Sequence, residues 1–593
     1  MDRELLEQRK QMLTELVHDK AYVPMKAKEI AMLLNIPKAM RKELQEVLDE
    51  LVLEGKLGIS KKGKYGKPET FAVVGIFSGH ARGFGFVTVE GMEQDVFIPE
   101  DKTGSALNGD KVQIVIESEG RNGRRAEGTV LKVLEHANSE LVGYYQKNKN
   151  FGFVIPDDQK IAKDIFIPQG CDMGAVTGHK VVVKVTDFGD EKKKPEGRVK
   201  EILGHVNDPG TDILSLVRAY NLPEAFPEEV MKEVEDVSDQ LPTEGLKELP
   251  EGFEGRRDLR DLQTVTIDGE DAKDLDDAIS LRREGENYIL GVHIADVSHY
   301  VAWDGHIDLE ARHRTTSVYL ADRVLPMLPE RLSNDLCSLR PDEDRLAFTV
   351  DIELDAQGRV RHYDPYPSVI RSRVRMDYDG AEALLVRAGA VEYSVLEGAA
   401  EDVAAAEASR EKALERGLAC EDTARGYNVD LADFLVAANE LAELRRRIRR
   451  ARGSVDFDTA EIRALLDEDG VPVQIVARER SCATSLIEEA MLLANECVAE
   501  WLADRDIEAC YRVHDDPSPD SLHGAAVALA QLGIIDDRRA AGIALGNPDE
   551  LQATVDAAAG TANAPLVNTL LLRSMQRALY KPRNEGHFAL AAP

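Results

Sequence analysis

The segment Thr266-Ile-Asp-Gly-Glu-Asp-Ala-Lys-Asp-Leu-Asp-Asp-Ala278 places six carboxylates, those of Asp268, Glu270, Asp271, Asp274, Asp276 and Asp277, within thirteen residues. Lys273 is the one positive charge among them. Carboxylates this close repel one another, so an ordered segment needs something to offset the repulsion. A solvated acidic loop is the alternative. The flanks argue for order: Leu262 to Ile267 alternates as a strand does, and Ile289 to Val297 reads as a second, buried strand. An acidic turn held between strands points to a divalent cation.

The type of cation follows from the donors. An EF-hand reading starting at Asp268 fails, because its sixth position is Lys273 rather than Gly and its twelfth is Ile279 rather than Glu. Zinc prefers His and Cys, and the segment has neither. Oxygen-only ligands on a short turn suit Mg2+ or Mn2+, which keep positions open for water and substrate phosphate. Two such ions a few Å apart can activate water and stabilise a leaving oxygen in phosphodiester cleavage.

The run Asp258-Leu-Arg-Asp-Leu262, followed by the acidic segment, resembles the signature of the ribonuclease II/ribonuclease R family. The likeness continues through Gly291-Val-His-Ile-Ala-Asp-Val-Ser-His-Tyr300, Ser317-Val-Tyr-Leu320 and Pro326-Met-Leu-Pro-Glu-Arg-Leu332. It implies a magnesium-dependent hydrolase that shortens single-stranded RNA from its 3′ end and releases nucleoside 5′-monophosphates. By that resemblance Asp268, Asp274, Asp276 and Asp277 hold the metal, with Asp276 and Asp277 at the chemistry. Tyr319 and Phe457 are expected to clamp terminal bases, and Glu488 to face the RNA backbone. Arg512 and His514, in Tyr511-Arg-Val-His-Asp515, are further candidates.

Composition frames this reading. A chain of 593 residues divides into several domains, and its 43% hydrophobic content is that of globular protein. No apolar run approaches membrane-spanning length, and the N-terminus opens with charges rather than a signal peptide. The six cysteines are scattered with no Cys-x-x-Cys pair, as reduced thiols in a cytoplasm would be. A net charge of −34 is unfavourable for a nucleic-acid partner, so RNA binding must rest on local basic patches and stacking.

The expected architecture is multidomain α+β. Residues 1–70 read as three helices and a basic hairpin, a winged-helix (helix-turn-helix) domain, with protein docking the alternative role. Leu44, Val47, Leu48 and Leu51 mark one amphipathic helix over 42–53. An internal repeat follows: Gly83-Phe-Gly-Phe-Val87 with Asp95-Val-Phe-Ile-Pro99 recurs as Asn150-Phe-Gly-Phe-Val154 with Asp164-Ile-Phe-Ile-Pro168. These copies resemble OB-fold cold-shock barrels over 71–135 and 136–203. Strand alternation puts Phe84, Phe86 and Phe97 on one surface and Phe151, Phe153 and Phe166 on its counterpart. Such rings either stack on unpaired bases or belong to the barrel core. Residues 204–257 read as a structured connector whose Ile213, Leu214, Leu216 and Val217 need burying. The RNB catalytic domain is expected over 258–593.

Within it, Glu392 to Arg425 reads as an exposed helical insertion. The run Arg445 to Arg452 is either a solvated helix face or an RNA contact, and His293 and His299 read as structural. The Cys482–Asp504 helix carries a core stripe, and Asn568–Ala578 reads as another helix. Relatives in the family continue from the Gly-His-Phe stretch near residue 587 into Thr-Ser-Pro-Ile-Arg-Arg-Tyr, whose Arg stabilises charge at the scissile phosphate, and then into an S1 domain. The expectation is therefore a chain incomplete within its catalytic domain, with activity weakened. The competing functions are an RNA-binding protein with an inert nuclease domain and a DNA-binding regulator. Expected partners are single-stranded RNA and the ribosome or RNA-decay machinery, with the protein a monomer.

Overall fold

The structure, a computed structural model, describes residues 3–593 except 19–21, 35, 38–39, 54–55, 60–62, 67–71, 93, 119–124, 191–192, 238–252, 254, 394–399, 425–428, 458–460, 469 and 479. The tip of the basic hairpin (60–62, 67), the Pro242 and Pro250 stretch of the connector, and part of the 392–425 segment lie outside the described residues. The chain divides into two compact units, one essentially Met1–Glu224 and the other essentially from Ala225 onward.

The first unit opens with α1 (Arg3–His18), β1 (Met25–Lys26), α2 (Ala27–Leu33), α3 (Arg41–Leu53), β2 (Gly58–Ile59) and β3 (Lys64–Gly66). The expected stripe Leu44, Val47, Leu48 and Leu51 is buried against Leu13, Val17 and Ile30. Polar residues flanking this stripe are paired: Glu43 with Arg9, Glu50 with Lys10, and Gln45 donates to Asp49 and to the Tyr65 hydroxyl.

Two barrels follow. The first uses β4 (Ala72–Gly79), β5 (Gly85–Thr88), β6 (Val96–Ile98), β7 (Lys111–Ser118) and β8 (Glu127–Glu135), closed by pairing of β4 with β7. The second closes β9 (Glu140–Lys147), β10 (Gly152–Pro156), β11 (Ile165–Ile167), β12 (His179–Asp187) and β13 (Glu196–His205). The repeat extends to packing. A Cβ on Gly85 would lie 2.4 Å from the Phe77 ring, and one on Gly152 2.4 Å from the Tyr145 ring, so both copies press a buried aromatic onto a glycine. The barrels also touch each other. Asn108 donates to Asp158 at 3.0 Å, and the rings of His136 and Phe188 stack.

After the second barrel, α4 (Thr211–Ala219) packs on β9, β12 and β13. Val217 is buried there, but Leu216 faces out, contrary to expectation, because the short helix has only one covered face.

The second unit begins with α5 (Glu228–Asp236) and builds a seven-stranded mixed sheet. Its strands are β14 (Arg257–Leu259), β15 (Val265–Asp268), β16 (Asp277–Glu284), β17 (Asn287–Ala295), β20 (Asp344–Leu354), β21 (Val360–Arg371) and β22 (Val374–Asp377). The order is β14-β21-β20-β17-β16-β15-β22, with the β14–β21 and β15–β22 pairs parallel. Between β17 and β20 lie α6 (Val297–Tyr300), α7 (His306–Arg314), β18 (Val318–Tyr319) and β19 (Val324–Leu325). The expected second strand is thus the third of the group. An unforeseen strand, β16, begins on Asp277 itself and forms a hairpin with β17.

Helices cover one face: α8 (Tyr378–Arg387), α9 (Ala400–Ala424), α10 (Leu431–Arg452) and α11 (Cys482–Ala503), the last preceded by the hairpin β23 (Glu461–Leu466) and β24 (Pro472–Arg478). Leu435, Leu441, Leu486 and Leu493 from α10 and α11 meet Ile279, Val292 and Val350 of the sheet. Alternation turns Ala278, Ala295 and Ala347 to the opposite face, against Val230 and Ile307. The 392–425 segment is not simply exposed. Its helix α9 packs on α8 and the edge strand β22, burying Ala413 and Ala424.

The chain closes with β25 (Tyr511–Val513), the helices α12 (Pro519–Gln531), α13 (Asp537–Ala544), α14 (Pro548–Ala558) and α15 (Ala564–Ser574), and β26 (Leu579–Lys581), which pairs with β25. The expected helix over 568–578 begins earlier and ends at Ser574, where Met575 turns to an extended conformation.

Candidate active site

The acidic turn joins the end of β15 to the start of β16, so Asp268 and Asp277 sit on strand ends while Asp274 and Asp276 lie on the loop. Leu275 is 3% exposed and inserts into the core between its two charged neighbours. Burying this side chain fixes the loop, and its flanking aspartates are carried with it.

The loop backbone is secured by groups distant in sequence. The Ser338 hydroxyl donates to the Lys273 carbonyl at 2.8 Å and accepts from Leu275 N–H at 3.1 Å. Leu339 N–H donates to the Leu275 carbonyl, and Ala295 N–H to that of Asp276, each at 2.9 Å. Arg375 donates through Nη2 to the carbonyls of Glu270 (2.9 Å) and Ala272 (2.7 Å). Nothing in the sequence marks Ser338 or Arg375, because both act on backbone carbonyls across long loops.

The electrostatics carry the mark of crowded like charges. Asp276 reaches solvent, yet protein surrounds it on its other sides. Desolvation, then Asp274 and Asp268, push its carboxyl up to about 6. Desolvation, then Asp268 and Asp276, raise Asp277 to about 6 as well. Among the described residues, no three His, Cys, Asp or Glu side chains are already drawn around one point. Mutual repulsion keeps such carboxylates apart unless a cation is shared. The donor set fits a hard divalent ion: oxygen-only and strained by its own charge.

Tyr319 stands at this turn. Its hydroxyl donates to Asp274 Oδ2 at 3.1 Å. Glu488 is exposed on α11 and pairs with Arg480. Phe457 packs against the α12–α15 helical cluster with Val455 and Leu522, and no described contact brings it to Tyr319.

Other candidates divide. His293 is structural: it is buried, its ring nitrogens meet the Thr349 and Ser280 hydroxyls at 2.8 and 2.9 Å, and desolvation lowers it to about 3. His514 is also buried, bonded to the Gln576 carbonyl and Ala589 N–H. Arg512 is exposed beside the Tyr580 ring. Within the arginine run, Arg445 and Arg449 are buried, and Arg449 bridges Glu489 (2.7 Å) and Asp456 (2.6 Å). Neither a solvated face nor an RNA contact therefore describes the whole run, since its 3.6-residue period turns Arg445 and Arg449 inward.

The phenylalanines of the barrels form two surface triads rather than core. Phe84, Phe86 and Phe97 have ring centroids 5.5–5.8 Å apart, and Phe151, Phe153 and Phe166 lie 5.5–5.7 Å apart. Val87, Val96 and Ile98 fill the first core, while Val154, Ile165 and Ile167 fill the second. Arg125 lies over Phe86 and Lys194 over Phe153, at matching places in the two copies.

Known proteins align with this architecture. The RNB domain model matches residues 256–593, the cold shock domain model 153–227, and the ribonuclease B OB domain model 75–133. Ribonuclease R of Thermotoga maritima is 37% identical, over 96% of this chain and 74% of its own length. Ribonuclease R of Escherichia coli is 33% identical, over 96% of this chain and 65% of its own. The chain thus spans between about two thirds and three quarters of these relatives. RNase R of Mycoplasma genitalium, solved with ribose-methylated single-stranded RNA, superposes with a TM-score of 0.72 at 25% identity, covering 88% of this chain and 75% of the other. Yeast Ssd1, a pseudonuclease, shares the fold with a TM-score of 0.58 at 16% identity, over 97% of this chain and 68% of its own. RNB-family nucleases depend on a metal. The chain belongs to the RNB family of hydrolytic exoribonucleases, within the ribonuclease R group.

Proposed function

We infer that the acidic turn is the working centre of this chain: it is a 3′-to-5′ exoribonuclease that hydrolyses single-stranded RNA to nucleoside 5′-monophosphates. The observation that carries the reading is the turn itself, a backbone fixed by Ser338 and Arg375 in which burial and then neighbouring like charges raise the Asp276 and Asp277 carboxyls. A carboxylate cluster maintained at that cost is suited to a cation.

Asp268, Asp274, Asp276 and Asp277 would hold Mg2+, with Mn2+ as a substitute. When bound, the ion supplies a polarised water and charge stabilisation at the phosphate. The residues of this chain do the rest. Tyr319 offers its ring to the 3′-terminal base and orients that ring through Asp274. The two phenylalanine triads supply stacking surfaces for unpaired bases, with Arg125 and Lys194 set over their rings for the backbone or bases. On the family resemblance, Glu488 and Phe457 are proposed as further RNA contacts of the second unit. The N-terminal helices and β1–β3 form a winged-helix domain. The exposed Glu46 and Asp49 on α3 favour a docking role over reading DNA.

No helix among the described residues is long and apolar enough to cross a membrane. The six cysteines are free thiols, which suits action in a reducing cytoplasm. The test is a single-stranded RNA with a 3′ tail, incubated with Mg2+ or with chelator. The expected products are nucleoside 5′-monophosphates in Mg2+ alone, with circular RNA resistant. Internal cleavage of circular RNA, or no metal-dependent product, would refute the reading.

A further inference from the structure

One guanidinium reaches the rim of the acidic turn from α9. Arg416 grips Asp377 with two bonds, Nε to Oδ2 and Nη2 to Oδ1, both 2.9 Å. The same Nη2 lies 3.8 Å from Glu270 Oε2 and 3.9 Å from Asp379 Oδ2. Asp377 ends β22 directly opposite Asp268 in the parallel register. A carboxylate outside the proposed donor set therefore sits one strand from a member of it. Burial disfavours its ionised form, but the Arg416 pair and the Gly380 N–H outweigh burial and hold its carboxyl below the usual range.

The helix bearing Arg416 is locked in place. A Cβ on Gly417 would fall 2.7 Å from the Gly380 carbonyl and 2.9 Å from Leu384 Cγ, so α9 and α8 meet as closely as backbones allow. One turn after Arg416, Cys420 Sγ lies 3.2 Å from the Arg375 carbonyl. Arg375 in turn secures the Glu270 and Ala272 carbonyls of the acidic turn. The helix, the edge strand and the turn are one connected body.

A divalent ion attracted to Asp268 has a rival oxygen donor in Asp377, its neighbour across the strand pair. A planar guanidinium matches a carboxylate in two bonds and cannot deprotonate, so it keeps both Asp377 oxygens occupied. We infer that Arg416 is a positioning residue for the divalent-ion site, an internal counter-ion that withholds Asp377 and leaves Asp268 to the turn. The inference rests on the acidic turn being that site.

The test counts ions. Full-length parent, Arg416→Gln, Arg416→Lys and the double variant Arg416→Gln/Asp377→Asn are titrated with Mn2+ by electron paramagnetic resonance and assayed in single turnovers at saturating metal. Arg416→Gln should bind about one additional Mn2+ per chain and slow roughly tenfold to a hundredfold, the usual range for losing a partner outside the ligand shell. Arg416→Lys should recover most of the rate. The double variant should return both ion count and rate to the parent's, because Asp377→Asn removes the rival charge and keeps a side-chain oxygen to cap α8. A folded Arg416→Gln chain with the parent's ion count and rate overturns the inference, as does a double variant that stays slow. If Arg416→Gln melts below assay temperature, the double variant decides alone by the same criteria. Asp276→Asn in the parent background is the control: if it removes no Mn2+, the site reading has failed rather than the role of Arg416.

Discussion

The Tyr319 hydroxyl donates to Asp274 Oδ2 at 3.1 Å while 67% of the residue stays exposed. Desolvation first, and then Asp274, raise the phenol above its ordinary value, so it remains a donor at neutral pH. The ring is thus aimed from within the acidic turn and stays largely exposed, as the proposed base contact requires.

Tyr319→Phe keeps the stacking face and loses only the aiming bond, whereas Tyr319→Ala loses both. Tyr319→Ala should weaken binding of a short single-stranded RNA by about 1–3 kcal/mol, and Tyr319→Phe by much less. Fluorescence anisotropy with short labelled oligonucleotides checks this. Equal affinity for all three chains would remove the ring from the RNA path.

The acidic turn also has a pH signature. Asp277 is raised to about 6 from 3.8, so between those values the folded chain binds more protons than the unfolded one. Stability from this group therefore falls as pH rises from 4 to 6 and stays lost above. In metal-free chains, Asp277→Asn should melt higher than the parent at pH 7.5, and the gap should shrink at pH 4.5. His293 acts in the opposite direction, since burial lowers it to about 3, but it is common to both chains and cancels in the comparison. Added Mg2+ should raise the melting temperature of the parent more than that of the variant. Differential scanning calorimetry at the two pH values is the check, and a gap of unchanged size would contradict it.

The two phenylalanine triads make a binding prediction. Phe84→Ala with Phe151→Ala should weaken single-stranded RNA binding by a few kcal/mol, roughly 1–3 per lost stack. Circular dichroism should show both barrels intact, because the cores are built from valine and isoleucine behind the triads. A folded double variant that binds like the parent would make the triads structural.

Arg449 should matter to stability and not to RNA. Its side chain and that of Glu489 are each 4% exposed, and Asp456 completes the group. Arg449→Met leaves Glu489 buried without its partner, which costs about 3–5 kcal/mol for a pair of this kind. Urea denaturation measures the loss, and RNA affinity measured below the transition should be unchanged.

Much of this was readable from residue order. The six phenylalanines alternate with valine and isoleucine, and that period of two placed the rings on one surface of each barrel. The six carboxylates of the turn stood out because so many like charges between strands have few structural uses, while the choice of four aspartates among them came from the family resemblance. What escaped were relationships without a local pattern. Strand β16 was hidden because it begins on Asp277, so a charged residue masked its apolar start. Ser338 and Arg375 act on backbone carbonyls, which any donor can satisfy, so their residue types carry no signal. The arginine run misled because six like residues on a helix cannot share one face, and Arg445 and Arg449 turn inward to acids more than 30 residues away in sequence. Helix α9 looked exposed from its Ala- and Glu-rich composition. Its contact with α8 depends on the smallness of Gly417, visible only once both helices are placed.

The most direct test of the central claim is Asp276→Asn, assayed for nucleoside 5′-monophosphate release in single turnovers with saturating Mg2+, alongside RNA affinity. The substitution removes one charged donor from the turn and leaves the barrels and Tyr319 untouched, so hydrolysis should be abolished while affinity stays within a few-fold of the parent. Hydrolysis at the parent's rate would contradict the assignment of the acidic turn as the catalytic centre.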